Sequence, residues 1–263
     1  MKRTRELAAA VFLPLFYLLV MKTSEEVFLF FVFMTTCLAL WEFYSMYGVG
    51  KPMKLLGTVF AGALHYSFYL GSSGLSFSVI ILFILLAFTG RLFSRKGTPD
   101  EAMKDLGPVV TGFFYVPLLM GVLLLVRRAG PEWILFLAVV VWSADSTAYY
   151  MGRNLGRRKL YPSMSPKKTV EGAMGSVIGG CLSAVLMKLV LVGKLSFFMA
   201  AVSGSVIGVV TMVGDLVESM FKRDAGVKDS STLIPGHGGI LDKVDGFLFV
   251  IPLFYLFLVT VVF

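Results

Sequence analysis

Between two long apolar runs, the stretch from Ser219 to Asp245 gathers the cations Lys222, Arg223 and Lys228 with the carboxylates Asp224, Asp229, Asp242 and Asp245. It also holds a Pro235-Gly236-His237-Gly238-Gly239 turn. Acids that ligate a hard cation, bases that neutralise phosphate and glycines that admit close backbone approach suit a metal-bound polyphosphate. Upstream, Asp215 begins a stripe with Glu218, Ser219 and Lys222 at the i, i+3, i+4, i+7 spacing of one helical face. Local pairing at a helix end accounts for charges there, but does not require Asp215 so deep in the apolar run. Asp242 and Asp245 lie three apart, so their side chains can converge, although either acid alone also suits a helix N-terminus. Together Asp215, Asp242 and Asp245 are expected to hold one or two Mg²⁺ ions, since such ions take a few carboxylates plus phosphate and water. Zinc prefers nitrogen and sulfur, and a single candidate His237 with no usable cysteine pair does not provide them.

A second loop, 152–172, supplies positive charge. Its Ser165-Pro166-Lys167-Lys168-Thr169 segment offers ammonium groups, hydroxyls and backbone donors to phosphate oxygens. A basic loop of this kind also serves as a topology determinant or an anionic-lipid contact. Asp145 falls within the apolar run V-V-W-S-A-D-S-T-A-Y-Y, where an ionised side chain costs at least about 2.5 kcal/mol. It is either a site residue or half of a buried hydrogen bond to Tyr149, four residues on along the same helical face. No G-x-x-x-x-G-K-[ST] loop and no G-x-G-x-x-G fingerprint occurs, so any nucleotide is held by other means.

The elements that must position these groups are membrane helices. The chain of 263 residues is 57% hydrophobic, with apolar runs close to the ~20 residues that cross a bilayer. The expected fold is all-α, a polytopic integral membrane protein of about nine spans. They fall near 7–21, 27–47, 54–71, 75–89, 107–126, 132–151, 173–192, 196–217 and 247–263. With the N-terminus cytoplasmic, nearly every Lys and Arg falls on one side, and only Lys22, Arg127, Arg128 and Lys194, with Lys188 close by, fall on the other. The positive-inside rule then turns the loops 152–172 and 218–246 to the cytoplasm. The net charge of +8 reflects this topology; no basic helix or soluble module points to nucleic acid. The basic start of the chain reads as an uncleaved first span, since no small-residue cleavage site follows Leu19.

Residues 1–130 form an expected scaffold of transmembrane helices with access for lipid, and offer little chemistry; His65 there reads as a packing or hydrogen-bonded residue. Residues 131–263 form the expected catalytic region. The pairs Gly175/Gly179 and Gly204/Gly208 have the small-xxx-small spacing of closely packed membrane helices. Cys37 and Cys181 lie inside spans and are read as packing residues.

From about residue 140 onward the chain resembles the phosphatidate cytidylyltransferases, also called CDP-diacylglycerol synthases. Their C-terminal signature is matched by Ser219, Lys222-Arg223, Lys228-Asp229, Ser231, Ile234-Pro235, His237-Gly238-Gly239, Asp242 and Asp245. Lys243 stands where the family usually has Arg, keeping the charge but losing a forked donor. Asp145, Ala148, Tyr149 and Gly152, and the run from Ser165 to Gly172, resemble its upstream patterns. The resemblance implies transfer of a cytidylyl group from CTP to phosphatidic acid, giving CDP-diacylglycerol and pyrophosphate, in a membrane-embedded, Mg²⁺-dependent homodimer. A compact chain of this kind fits a bacterial inner membrane. Asp215, Asp242, Asp245, Lys222, Arg223 and Lys228 are the expected catalytic groups. Lys167, Lys168, Ser165, Thr169, Ser219, Asp229, His237, Gly238, Gly239 and Asp145 are expected to bind substrate. A CTP-dependent kinase or cytidylyltransferase for another lipid would share these loops. An ion-coupled transporter would instead use Asp145 and Asp215, but the polar groups collect on one side and no repeat is evident.

Overall fold

The structure, a computed structural model, describes residues 13–94, 98–233 and 238–262. Its helices are α1 (Leu13–Lys22), α2 (Glu25–Met46), α3 (Lys51–Leu70), α4 (Ser73–Leu92), α5 (Ala102–Phe113) and α6 (Leu119–Ala129). They continue with α7 (Pro131–Leu155), α8 (Val170–Val190), α9 (Phe197–Asp224) and α10 (Leu241–Phe257). Hydroxyl caps start several of them: Ser24, Ser72, Thr169 and Ser196 each accept a backbone N–H from the first turn. α5 and α6 are joined by a π-helical turn, Phe114–Leu118, containing Pro117, which has no N–H for an ordinary helical bond. His65 Nε2 donates to the Pro117 carbonyl at 3.0 Å, so this buried histidine is a hydrogen-bonded packing residue.

Seven helices among the described residues are long and apolar enough to cross a membrane: α2, α4, the rod Pro99–Ala129, α7, α8, α9 and the α10 rod Leu241–Val262. The protein is an integral membrane protein, all-α apart from one small hairpin. Of the nine spans expected, 54–71 falls on α3. That helix is 20 residues long, but Lys51, Lys54, Thr58, His65, Ser67, two tyrosines and two glycines dilute its apolar surface. The span expected at 7–21 falls partly outside the described residues, and the rest is the short α1. The brief run at 75–89 is a helix of 20 residues, because Ser72 caps it and Thr89 to Leu92 continue it.

Two further differences bear on the site. The loop 152–172 is not irregular: α7 runs to Leu155, and β1 (Lys159–Tyr161) pairs antiparallel with β2 (Ser165–Thr169) before α8 begins. Likewise α9 stays helical to Asp224 and α10 begins at Leu241, so Lys222 and Arg223 sit on a helix rather than in the loop.

α7, α8, α9 and α10 pack in sequence, α6 rests on α10, and α2 bridges α3, α6 and the start of α10. The main core joins Phe43, Tyr115, Phe136, Leu248, Ile251 and Phe254 across these helices. A smaller core under α3, α4 and α5 centres on Phe83 and Phe113, whose rings stack at 3.8 Å.

Candidate active site

The site is built where α7, α8 and α9 approach most closely, and glycine makes that approach. A Cβ on Gly175 would lie 2.8 Å from the Thr147 carbonyl of α7, and one on Gly180 or Gly204 would overlap the other glycine's backbone oxygen. Ser176 Oγ donates to the Gly208 carbonyl at 2.8 Å, tying α8 to α9 at the same level. Both glycine pairs singled out from the sequence therefore pack helices.

At the end of this bundle a cavity of about 580 Å³ opens, lined by Asp145, Tyr149, Arg153, Lys167, Lys168, Thr169, Ser176, Asp215, Asp242 and Asp245 among others. The hairpin forms its lip. Thr169 Oγ1 accepts from Gly172 N at 3.1 Å to start α8, and Glu171 accepts from Arg157 N at 2.9 Å, fastening the hairpin base to the end of α7. With strand alternation, Lys167 is exposed at the rim while Lys168 turns inward to pair with Asp215 at 2.7 Å. Asp145 faces the same cavity from α7; the nearby Tyr149 hydroxyl accepts from Arg153 Nη1 at 3.2 Å.

On the other side, Asp215, Glu218 and Asp245 each offer a carboxylate oxygen within 4.8 Å of the other two. Asp215 and Asp245 were expected together, but the third member is Glu218. Asp242 is otherwise engaged. Its Oδ1 accepts from Lys222 Nζ at 2.6 Å, and its Oδ2 accepts from Ser230 N at 3.0 Å, Ser230 Oγ at 2.8 Å and Gly239 N at 2.7 Å. Lys222 lies between Asp242 and Glu218, pairing with both. Glu218 is fully buried, and its Oε1 has no hydrogen-bond partner among the described residues. Two carboxylates at such separation repel by about 3 kcal/mol at an effective dielectric of 20. Lys168 and Lys222 offset part of that charge. An orphaned buried carboxylate oxygen beside two others is the donor set that a hard, oxygen-seeking cation fits.

Other residues named from the sequence lie differently. Ser219, nearly buried, donates to Asp215 Oδ1 at 3.4 Å. Arg223 reaches out of the cavity, donating to the Met164 carbonyl at 3.3 Å and so tying the hairpin to α9. Ser165 begins β2 opposite Tyr161, and Lys228 and Asp229 are exposed; none of these lines the cavity. Gly238, at φ +83°, sits where a Cβ would press within 2.5 Å of Asp242 Oδ2. His237 lies outside the described residues.

Two residues escaped the sequence reading. Glu218 was visible on the polar stripe, but its spacing there also matched ordinary helix-end pairing. Glu42 stands in α2, within the half that promised little chemistry, yet it binds Ser230, Ser231, Ile240 and Leu241 beside the site. A lone acid in the apolar run Leu38–Tyr47 was the available signal.

The sequence profile of the cytidylyltransferase family matches residues 3–261. A Staphylococcus epidermidis protein named phosphatidate cytidylyltransferase is 33% identical over 266 residues, covering 98% of this chain and 99% of that one. Proteins of the same name from Staphylococcus saprophyticus and Bacillus subtilis are 37% identical over 185 residues and 36% over 196. Those matches span 70% and 73% of this chain, and 68% and 72% of the relatives. The chain belongs to the cytidylyltransferase family.

Proposed function

We propose that the protein transfers the cytidylyl group of CTP to phosphatidic acid, giving CDP-diacylglycerol and pyrophosphate. The observation that carries this reading is the Asp215, Glu218 and Asp245 cluster, flanked by Lys168 and Lys222, in a chain of this family. A phosphate oxygen of the lipid attacks the α-phosphorus of CTP as the bond to pyrophosphate breaks. The lipid phosphate is already anionic, so neither a protein nucleophile nor a general base is required, and His237 is not assigned as one. Catalysis is then positioning and charge neutralisation.

Asp215, Glu218 and Asp245 would hold one or two Mg²⁺ ions. When bound, such ions polarise the phosphoryl oxygens and stabilise both the attacking and the leaving oxygen. Lys167, exposed at the rim, meets the triphosphate, and Lys168 passes from Asp215 to phosphate as substrate enters. Lys222 fixes the spacing of Glu218 and Asp242, and Asp242 acts from the edge of the cluster by holding Ser230 and Gly239. Asp145 bounds the far wall. Arg223 acts through the hairpin, and Lys228 and Asp229, exposed on the loop after α9, meet headgroup or pyrophosphate.

Residues 131–263 supply the groups at the cavity, and residues 1–130 support them. The basic hairpin and the loop after α9 face the cytoplasm of a bacterial cell, where soluble CTP meets membrane-bound phosphatidate. The enzyme works as a homodimer.

The test is to incubate detergent-purified protein with phosphatidic acid, Mg²⁺ and CTP labelled at either the α- or the γ-phosphate. Label from the α-position is expected in the organic phase, falling about 10³-fold in Asp245→Asn or Asp215→Asn, the scale of losing a main charge-stabilising group. Label from the γ-position entering lipid would replace this reading with a kinase.

A further inference from the structure

Glu42 is a carboxylate from the chain's first half, only 6% exposed, and among the described residues it touches none of the groups proposed to meet substrate. It nonetheless accepts three full hydrogen bonds and a share of a fourth. Ser231 Oγ at 2.6 Å and Ile240 N at 3.0 Å donate to Oε1, Leu241 N at 2.8 Å donates to Oε2, and the Ser230 hydroxyl divides its one proton between Glu42 Oε2 at 3.0 Å and Asp242 Oδ2 at 2.8 Å. These donors flank the glycine turn on both sides, so one side chain fastens the loop's departure from α9 to its return at α10.

Two of the donors are backbone N–H groups at the start of α10, where a helix leaves its first amides without intrahelical partners. Ile240, at the cap position, brings no capping side chain, so Glu42 caps α10 from another helix. A carboxylate there also meets the positive end of the helix. Gly239 leaves the room: a Cβ on it would overlap both Ser230 Oγ and Glu42 Oε2. Ser230 Oγ lies within hydrogen-bond distance of Glu42 and of Asp242, which in turn holds Lys222 against Glu218. Tyr47, one turn further along α2, donates to Asp224 Oδ2 at 2.9 Å and seats the same helix on the end of α9.

We propose that Glu42 is a positioning residue of the active site: from α2 it clamps Ser230–Ser231 to the start of α10 and so sets Asp242, Lys222 and Glu218. The kinetic part of this inference rests on the cytidylyl-transfer reading; the clamp itself does not.

Full-length Glu42→Gln in detergent tests it by two readouts. Hydrogen exchange of peptides covering 228–242 should rise about 10-fold, with α7 and α8 unchanged, because the amide NH₂ opposes a backbone donor that the carboxylate accepted. The kcat per CTP-binding site should fall about 10²-fold with KM for CTP within about 3-fold, as for a misplaced rather than a missing contact. Glu42→Asp, which keeps both oxygens, should recover much of that kcat. Wild-type exchange in 228–242 overturns the clamp. A lower melting temperature with kcat per binding site unchanged overturns the positioning role. Should Glu42→Gln yield no folded protein, Ser231→Ala removes the shortest of its hydrogen bonds, and about 3-fold faster exchange is expected; no change there overturns the clamp as well. If wild-type protein makes no CDP-lipid, the transfer reading fails while the exchange result still decides the clamp.

Discussion

The two sides of the cavity are held by opposite means. On the α7–α8–α9 side, helices meet with little between them: Gly175 faces the Thr147 carbonyl and Gly179 its side chain, while Gly180 and Gly204, and Gly208 and Ser176, lie backbone on backbone. On the α10 side, a charged side chain from a distant helix gathers hydroxyls and amides, with Glu42 and Asp242 sharing Ser230. The first arrangement leaves no volume to spare, while the second depends on where acceptors sit. Close helix contact in a membrane relies on packing, because lipid supplies no hydrophobic drive between helices. A loop returning to the membrane surface must instead satisfy its polar backbone, and a carboxylate that accepts from Ser231, Ile240 and Leu241 does that. Acids placed on both sides can therefore meet at fixed separation only if both devices hold.

The contrast can be broken most sharply at Gly204. In Gly204→Leu the added side chain meets backbone, which cannot step aside, and the expected cost is about 3 kcal/mol or more, read as a large drop in unfolding midpoint and loss of all CTP binding. On the opposite side, Gly239→Ala first meets the side-chain ends of Ser230 and Glu42, which can shift. Its melting temperature should stay near wild type while kcat drops about 10-fold, a smaller version of the Glu42→Gln effect. A collapse of stability in Gly239→Ala would erase the distinction. The mildest probe is Ser176→Ala, which deletes the hydroxyl donated to Gly208 and leaves the glycine contact in place. About 1 kcal/mol of stability should be lost, with KM and kcat nearly unchanged, as a denaturation series would report.

How far the sequence revealed these two sides follows from the range of the interactions. Gly175/Gly179 and Gly204/Gly208 were legible because helix–helix contact leaves a four-residue period within each partner. Asp215 and Asp245 were legible because an acid in or beside an apolar run is costly without a role. The hairpin was not, since three residues of β1 beside Pro162 and Pro166 are too few to show alternation; its geometry comes from Glu171 and the Thr169 cap. Asp242 was assigned to the metal from its spacing to Asp245, but Lys222 and three donors from Ser230 and Gly239 occupy it. Glu42 left only a lone acid in an apolar run, because its partner Ser230 lies 188 residues away and nothing local links them. Short-range periodicity encodes the packed side, and long-range hydrogen bonding encodes the clamped one.

The carboxylates meeting between these two sides are expected to hold the cation that serves CTP. Binding of Mn²⁺, used in place of Mg²⁺ and followed by electron paramagnetic resonance on the detergent-solubilised protein with CTP present, tests it directly. The account predicts that Asp215→Asn, Glu218→Gln and Asp245→Asn each weaken Mn²⁺ binding at least about 10-fold, while Asp242→Asn changes it less than the other three. Full binding in Glu218→Gln alongside its loss in Asp242→Asn would contradict the cluster as drawn and return the metal to the pair of acids at the start of α10.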